Sequence, residues 1–284
     1  MGDERKLLGL TGDDYVRYSR QIMLEEIGPE GQKKLKNSRV FVIGTGGLAS
    51  PVLYYLAAAG VGTITVIDSD TVELSNLNRQ IIHSTYDIGR PKVLSVEEKI
   101  KKLNPSVNFT GYYERLTRQN ACYMLTLDNC DIVVDCVDNL DTRYLVNDVC
   151  CKNKVPFVEA GVRGFEGYVM TVVPGKTPCF RCFYPKNEAS CGQKAEVRTN
   201  IASEKVTEDG EAAKEGVKTG KKPEVLGVTA AIAGSIEAAE AIKFILGIGE
   251  SLSSNILIFN ILNMKYEKIS LKRNPVCPAC GAID

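Results

Sequence analysis

The chain reads as an α/β protein with a mostly parallel sheet and an antiparallel C-terminal half, and three observations predict it. Short apolar runs rich in β-branched residues alternate with helical stretches from residue 39 to residue 160. A glycine-rich loop separates the first run from its helix. Beyond Gly164 the alternation ends, and the runs at 167–173 and 255–260 read as antiparallel strands.

Residues 1–37 predict an N-terminal helical segment, broken at Gly28-Pro29-Glu30-Gly31. Arg39-Val40-Phe41-Val42-Ile43 is a first buried strand and runs into Gly44-Thr45-Gly46-Gly47. Residues 48–59 read as a helix closed by Gly60-Val61-Gly62. A second strand over 63–67 ends at Asp68. This unit spans about 30 residues, the size of a βαβ crossover, and makes the sheet Rossmann-like. An amphipathic helix follows over 92–103 and a strand over 107–113. Residues 131–137 form a buried strand with Asp135 and Asp138 at its end, before a helix over 141–152 and a strand over 155–160. The apolar run 225–236 predicts a buried helix that stops at Glu237, short of the roughly 20 residues that span a bilayer. Residues 194–224 carry equal numbers of acidic and basic side chains and no aromatics. Such a stretch cannot offset its ordering entropy, so it reads as a mobile insertion, either a solvated linker or a lid. The organisation expected is a helical segment (1–37), a nucleotide-binding part (38–163) and a C-terminal part (164–284), joined in one continuous domain.

The 284 residues have zero formal net charge, which argues against bulk binding to nucleic acid or membrane. No basic start leads into an apolar run at the N-terminus, and the expected location is the cytoplasm. Ten cysteines without an export signal point to metal rather than disulfides. His83 is the one histidine, so a Ser-His-Asp or Cys-His mechanism would have to run through it. A lone histidine is more often structural.

Gly44-Thr45-Gly46-Gly47-Leu48-Ala49 lets the backbone turn tightly and approach a phosphate at a helix N-terminus. Asp68, 22 residues after Gly46, stands where an acidic side chain binds ribose hydroxyls. Those features alone suit NAD as well as ATP. Asp70, Asn76, Arg79 and Lys92 follow the second strand. Two cations and an amide so placed can neutralise a triphosphate and the charge that develops when its α-phosphorus is attacked. Hydride transfer needs less positive charge. Asp138 can hold Mg²⁺, which takes one or two carboxylates plus phosphate oxygens.

Arg17-Tyr18-Ser19-Arg20-Gln21, Gly44-x-Gly46-Gly47-Leu48, Asp68-x-Asp70, Ser75-Asn76-Leu77-x-Arg79-Gln80, Gly89-x-Pro91-Lys92 and Asp135-Cys136-x-Asp138-Asn139 occur in this order. The set resembles the adenylating domain of the ThiF, MoeB and HesA family and of ubiquitin-activating enzymes, over nearly the whole chain. The resemblance implies an ATP-dependent adenylyltransferase that converts a carboxylate to an acyl-adenylate. It implies that Asp68 binds ribose and that Gly44, Gly46 and Gly47 approach the nucleotide. Asn76, Arg79 and Lys92 contact phosphates in this reading, Asp138 carries Mg²⁺, and Arg20 reaches the neighbouring subunit's ATP in a homodimer. The usual substrate in such a family is the C-terminal Gly-Gly of a ubiquitin-like sulfur-carrier protein. A small carboxylic acid of cofactor biosynthesis, such as the pyridinol precursor of the [Fe]-hydrogenase cofactor, is the alternative, and a non-catalytic nucleotide-binding scaffold a third.

Cys179-x-x-Cys182 and Cys277-x-x-Cys280 offer four thiolates, the ligand set tetrahedral zinc prefers. The gap between the pairs is much longer than in a zinc finger, and a redox disulfide is the competing reading. The family resemblance implies structural Zn²⁺. It also implies a covalent thioester or persulfide role for Cys191, although the charged insertion separates Cys191 from the small-residue stretch at Val225-Leu226-Gly227-Val228. Cys122, Cys130, Cys136, Cys150 and Cys151 lie in or beside apolar segments and read as small core residues.

Overall fold

A computed structural model describes residues 9–126, 129–185 and 224–283. Helix α1 (Gly12–Arg17) starts from a reciprocal cap in which the Thr11 hydroxyl accepts from the Asp14 N–H and the Asp14 carboxylate accepts from the Thr11 N–H. Helices α2 (Ser19–Ile22) and α3 (Gly28–Asn37) follow. The alternating part comprises β1 (Arg39–Ile43), α4 (Ala49–Ala59), β2 (Thr63–Ile67), α5 (Lys92–Leu103) and β3 (Asn108–Tyr112). It continues with α6 (Ala121–Leu125), β4 (Ile132–Asp135), α7 (Leu140–Lys152) and β5 (Phe157–Arg163). Then come β6 (Glu166–Val172), the short helix α8 (Phe180–Phe183), α9 (Gly227–Leu246), β7 (Asn255–Asn260) and β8 (Lys265–Ser270).

All eight strands form one sheet in the order β3-β2-β1-β4-β5-β6-β7-β8. The first five are mutually parallel and the last three pair antiparallel. Alternation along β1 sends Val40 and Val42 into one apolar cluster with α4, α5 and α9, and Phe41 and Ile43 into another with α6 and α7. Both faces are therefore covered, as a parallel sheet requires.

Helix α9 does not stop at Glu237. It runs 20 residues to Leu246 and takes Glu237 and Glu240 into the interior, both nearly inaccessible. The Glu240 carboxylate accepts from the Thr171 hydroxyl and from the Leu252 N–H, both at 2.7 Å. Strand β8, unanticipated from sequence, lies at the sheet edge and is exposed along nearly its whole length. Cys136, Cys150 and Cys151 are buried as expected, but Cys122 is exposed and Cys130 only half-buried. The expected insertion lies outside the described residues except for Glu224. Among the described residues no helix is long and apolar enough to cross a membrane.

The loop from residue 68 to residue 91 carries most of the polar residues singled out above, and Asp87 anchors it. This side chain is only 1% exposed, and its carboxylate accepts from Lys99 at 2.5 and 2.6 Å, from Arg90 at 3.0 Å, and from the N–H and hydroxyl of Ser84. Burial alone would raise its pKa, but the Lys99 and Ser84 hydrogen bonds outweigh burial and hold it well below the usual carboxylate range. The folded value thus lies below the unfolded one. Its stabilisation is complete above about pH 4 and is lost as pH falls through the folded value. Asp87→Asn should cost about 2–3 kcal/mol at neutral pH, the scale of hydrogen bonds to a charged group. In urea unfolding the gap to the parent should narrow below about pH 4; equal stability at neutral pH would count against the anchor.

Candidate active site

Strand order reverses around β1, which has β2 on one side and β4 on the other. Ligands of open α/β sheets bind at such a switch point, beyond the carboxyl ends of the strands. A cleft of about 670 Å³ opens there. Its walls include Gly44, Gly46, Gly47, Asp68, Asp70, Arg79, Lys92 and Asp138. The structure thus brings together eight of the residues selected from sequence.

Gly44 follows β1 with φ +89°, and a Cβ there would lie 3.1 Å from the Cys136 carbonyl at the end of β4. Glycine is required both for that conformation and for the close passage of the two strand ends. The next residue is held on every side. Thr45 donates its N–H (2.8 Å) and hydroxyl (2.6 Å) to the Asp68 carboxylate, while its carbonyl lies 3.0 Å from His83 Nε2. A carbonyl can only accept, so Nε2 carries the proton and Nδ1 accepts from the Ser95 hydroxyl at 2.9 Å. Burial lowers the His83 pKa below its ordinary value and favours this neutral form. His83 is a structural link, the role expected of a lone histidine.

Asp68 also accepts from the Asp70 N–H at 2.8 Å, and Asp70 accepts from Lys92 Nζ at 2.8 Å. Lys92 opens α5 and is buried apart from its face on the cleft. Arg79 is steered by the Ser75 carbonyl at 3.0 Å and the Asn78 side chain at 3.1 Å. Gln80 lines the cleft with its Oε1 buried and unpartnered among the described residues, a group that sequence had weighed only as part of a motif. Asp138 is exposed on the turn between β4 and α7, and Asn139 after it caps α7 by accepting from the Thr142 N–H.

Two selected residues, Asn76 and Arg20, lie elsewhere, and a third, Cys191, lies outside the described residues. Asn76 is buried and lines a smaller cavity of about 260 Å³ with Asp70 and Glu73, next to the main cleft. Arg20 is exposed on α2 and does not line the cleft.

Apart from Asp135, which belongs to a sequence motif, sequence reasoning missed a polar group at the floor of the cleft, where Arg143 and Tyr168 reach its wall. Asp135, Arg143, Glu159, Tyr168 and Glu237 come from β4, α7, β5, β6 and α9 and are almost wholly buried. Arg143 donates to the Tyr168 hydroxyl and, at 2.9 Å, to the Val137 carbonyl; Tyr168 donates to Glu159 at 2.7 Å. Burial pushes the Asp135 carboxyl up to about 6 and that of Glu159 up to about 8, although Arg143 pulls both the other way. Burial also lifts Glu237 well above its ordinary range, with Asp135 adding to it. No spacing pattern links these positions, so only the fold could reveal them.

The four cysteines of the two Cys-x-x-Cys pairs converge. Their sulfurs all lie within 4.8 Å of one another, with Cys179–Cys277 at 3.7 Å and Cys182–Cys280 at 3.5 Å. Sulfurs about 2.3 Å from a tetrahedral zinc stand about 3.8 Å apart, so the set fits that ion. The distances are far beyond a disulfide bond. An Asn274 N–H donates to Cys182 Sγ at 3.4 Å and adds an outer-shell contact.

The ThiF family model matches residues 18–279. A sulfur carrier protein adenylyltransferase of Thermus thermophilus is 39% identical, over 95% of this chain and 92% of its own length. The SAMP-activating enzyme E1 of Haloferax volcanii is also 39% identical, over 96% and 92% respectively. Among solved structures, E. coli MccB with ATP superposes with a TM-score of 0.75 at 26% identity, covering 93% of this chain and 73% of MccB. With the glycine loop, the polar cleft and the thiol cluster in place, the chain belongs to the ThiF family of E1-like adenylyltransferases.

Proposed function

We propose that the chain activates the C-terminal Gly-Gly carboxylate of a ubiquitin-like sulfur-carrier protein as an acyl-adenylate. The observation that carries this reading is the convergence of Asp68, Arg79, Lys92 and Asp138 on one cleft behind a glycine loop. The names of the Thermus and Haloferax relatives support a protein substrate.

A carboxylate oxygen attacks the α-phosphorus of ATP while the bond from that phosphorus to the α–β bridging oxygen breaks, and pyrophosphate leaves with the electron pair. The nucleophile is already an anion, so no general base is needed. Rate comes from positioning and from charge stabilisation in a partly enclosed site. Asp68 holds the ribose, the Gly44–Gly47 backbone approaches the phosphates, and Arg79 and Lys92 offset charge developing on the phosphoryl oxygens. Asn76 supports the phosphate end from the adjoining cavity. Lys92 has to leave Asp70 or share it, a short movement for a side chain tethered at 2.8 Å. Asp138, a carboxylate on the cleft wall, would hold Mg²⁺, which would offset phosphate charge when bound.

Arg20 acts in the neighbouring subunit of a homodimer, which accounts for its exposure away from its own cleft. Cys191, as its thiolate after loss of the thiol proton to solvent, attacks the acyl carbon of the adenylate; a C–S thioester bond forms as the C–O bond to AMP breaks, and AMP leaves with the electron pair. The four-thiolate site holds structural Zn²⁺ and ties residues 274–283 to α8 and α7.

The test is substrate-dependent ATP–pyrophosphate exchange, run with Gly-Gly carrier proteins and with small carboxylic acids. Exchange with a carrier alone is expected, and exchange with acids alone would replace the carrier by a small molecule. Silence with both would favour the scaffold reading. Arg79→Ala and Lys92→Ala should each lower exchange about 10²–10³-fold, the usual loss of one charge-stabilising donor. Mixing inactive Arg20→Ala and Asp138→Ala chains should restore part of the activity through hybrid sites; no recovery would remove Arg20 from the partner's cleft. Metal analysis should find about one zinc per chain. Cys280→Ser should lose that zinc and melt at lower temperature; a metal-free protein as stable as the parent would overturn the structural role.

A further inference from the structure

Four of the six buried side-chain polar atoms without a hydrogen-bond partner among the described residues belong to one cluster: Asp135 Oδ2, Arg143 Nε, Glu159 Oε2 and Glu237 Oε1. A buried ion pair is weak evidence for stability, since well-packed apolar residues of the same volume often do as well or better. Three carboxyl groups around one guanidinium, with unpaired atoms on each, are therefore a poor way to join five elements. Such an arrangement calls for a reason beyond stability.

Its location supplies one. The turn that carries Asp138 is held by this cluster on its N-terminal side, through Val137. Val137 donates its N–H to Asp135 Oδ1 at 3.2 Å, and its carbonyl accepts from Arg143 Nη2 at 2.9 Å. On the far side Asn139 is fixed as the cap of α7. The carbonyl of the peptide leading into Asp138 is thus held by the guanidinium, and the N–H of the preceding peptide by Asp135. The guanidinium itself has little freedom. Its Nη1 is bound to Tyr168 and lies 3.5 Å from Glu159 Oε1, while its carbon sits 5.8 Å from the ring centroids of Tyr168 and Phe180. Gly161 leaves room for it, because a Cβ there would lie 2.8 Å from Nη1 and 2.5 Å from the Tyr168 ring.

We infer that Arg143, fixed by Tyr168 and Glu159, is a positioning residue for Asp138: it sets the Val137–Asp138 turn and thereby aims the carboxylate at a nucleotide-bound divalent cation. The inference rests on the role proposed for Asp138. Arg143 also lines the cleft, but the role assigned to it runs through its bond to the Val137 carbonyl and requires no contact with the nucleotide or the cation.

Equilibrium binding of ATP, measured by calorimetry with excess Mg²⁺ and again with EDTA, tests it. The quantity of interest is the ratio of the two affinities, which a general loss of folded protein leaves unchanged. Asp138→Ala should abolish the Mg²⁺ enhancement. Arg143→Lys should reduce it about 10–100-fold, as loss of an outer-shell partner does, while affinity in EDTA stays near that of the parent. Tyr168→Phe removes one hydroxyl with little change in volume, and it decides the matter if Arg143→Lys fails to fold. It should show a smaller reduction of the same sign. If Asp138→Ala loses the enhancement but both other variants keep it, the positioning role is overturned and the proposed function stands. If Asp138→Ala keeps it as well, Asp138 has no part in cation binding and the inference falls with that role. A parent protein that binds no ATP would fail one step earlier, at the proposed function itself.

Discussion

The cleft depends on how Thr45 is held. All three of its polar groups are bound by side chains from elsewhere, two by Asp68 at the end of β2 and one by His83 in the following loop. From His83 the chain of contacts continues through Ser95 and Lys99 to Asp87. The glycine loop, the end of β2 and α5 are thereby tied together by side-chain hydrogen bonds. A loop already ordered loses little conformational entropy when a phosphate docks on it, so more of the contact energy is available for binding. Asp68 accepts three hydrogen bonds while pinning the loop, and about one of the roughly four acceptor sites of a carboxylate remains.

Charge is buried in two different ways on the two sides of this cleft. Asp87 has hydrogen bonds to both its oxygens and two cations beside it. Asp135, Glu159 and Glu237 share a single guanidinium and retain unpaired oxygens. The first arrangement follows the usual rule that buried charge is paired; the second departs from it, next to the turn that lines the cleft. Local departures from good packing practice tend to mark positions under functional constraint.

Much of the scaffold was legible in the sequence because burial on both faces leaves a clear apolar record. The helix expected over 92–103 is the observed Lys92–Leu103, and the strands expected at 39–43 and 255–260 coincide with β1 and β7. Where polarity and position disagree, the reading failed. Strand β8 consists of Lys265-Tyr266-Glu267-Lys268-Ile269-Ser270, a polar run that pairs on one edge and faces water, so it lacks the apolar alternation of a half-buried strand. Helix α9 was cut at Glu237 because a glutamate in sequence reads as solvent, whereas here it is enclosed. In the site, residues on compact motifs were found, among them Gly44, Asp68, Arg79 and Lys92. Arg143, Glu159 and Tyr168 were not, because their neighbourhood is created by pairing of β4, β5 and β6 rather than by any spacing along the chain.

The single histidine has a spectroscopic consequence. His83 is the chain's one imidazole, and it touches the carbonyl of the loop on which phosphates would rest. Its ring ¹H and ¹⁵N resonances need no assignment by mutagenesis, and the two nitrogens, in chemically distinct bonds to Thr45 and Ser95, carry separate signatures of tautomer and charge. An untagged preparation thus contains a built-in NMR probe of the glycine loop and of the helix behind it.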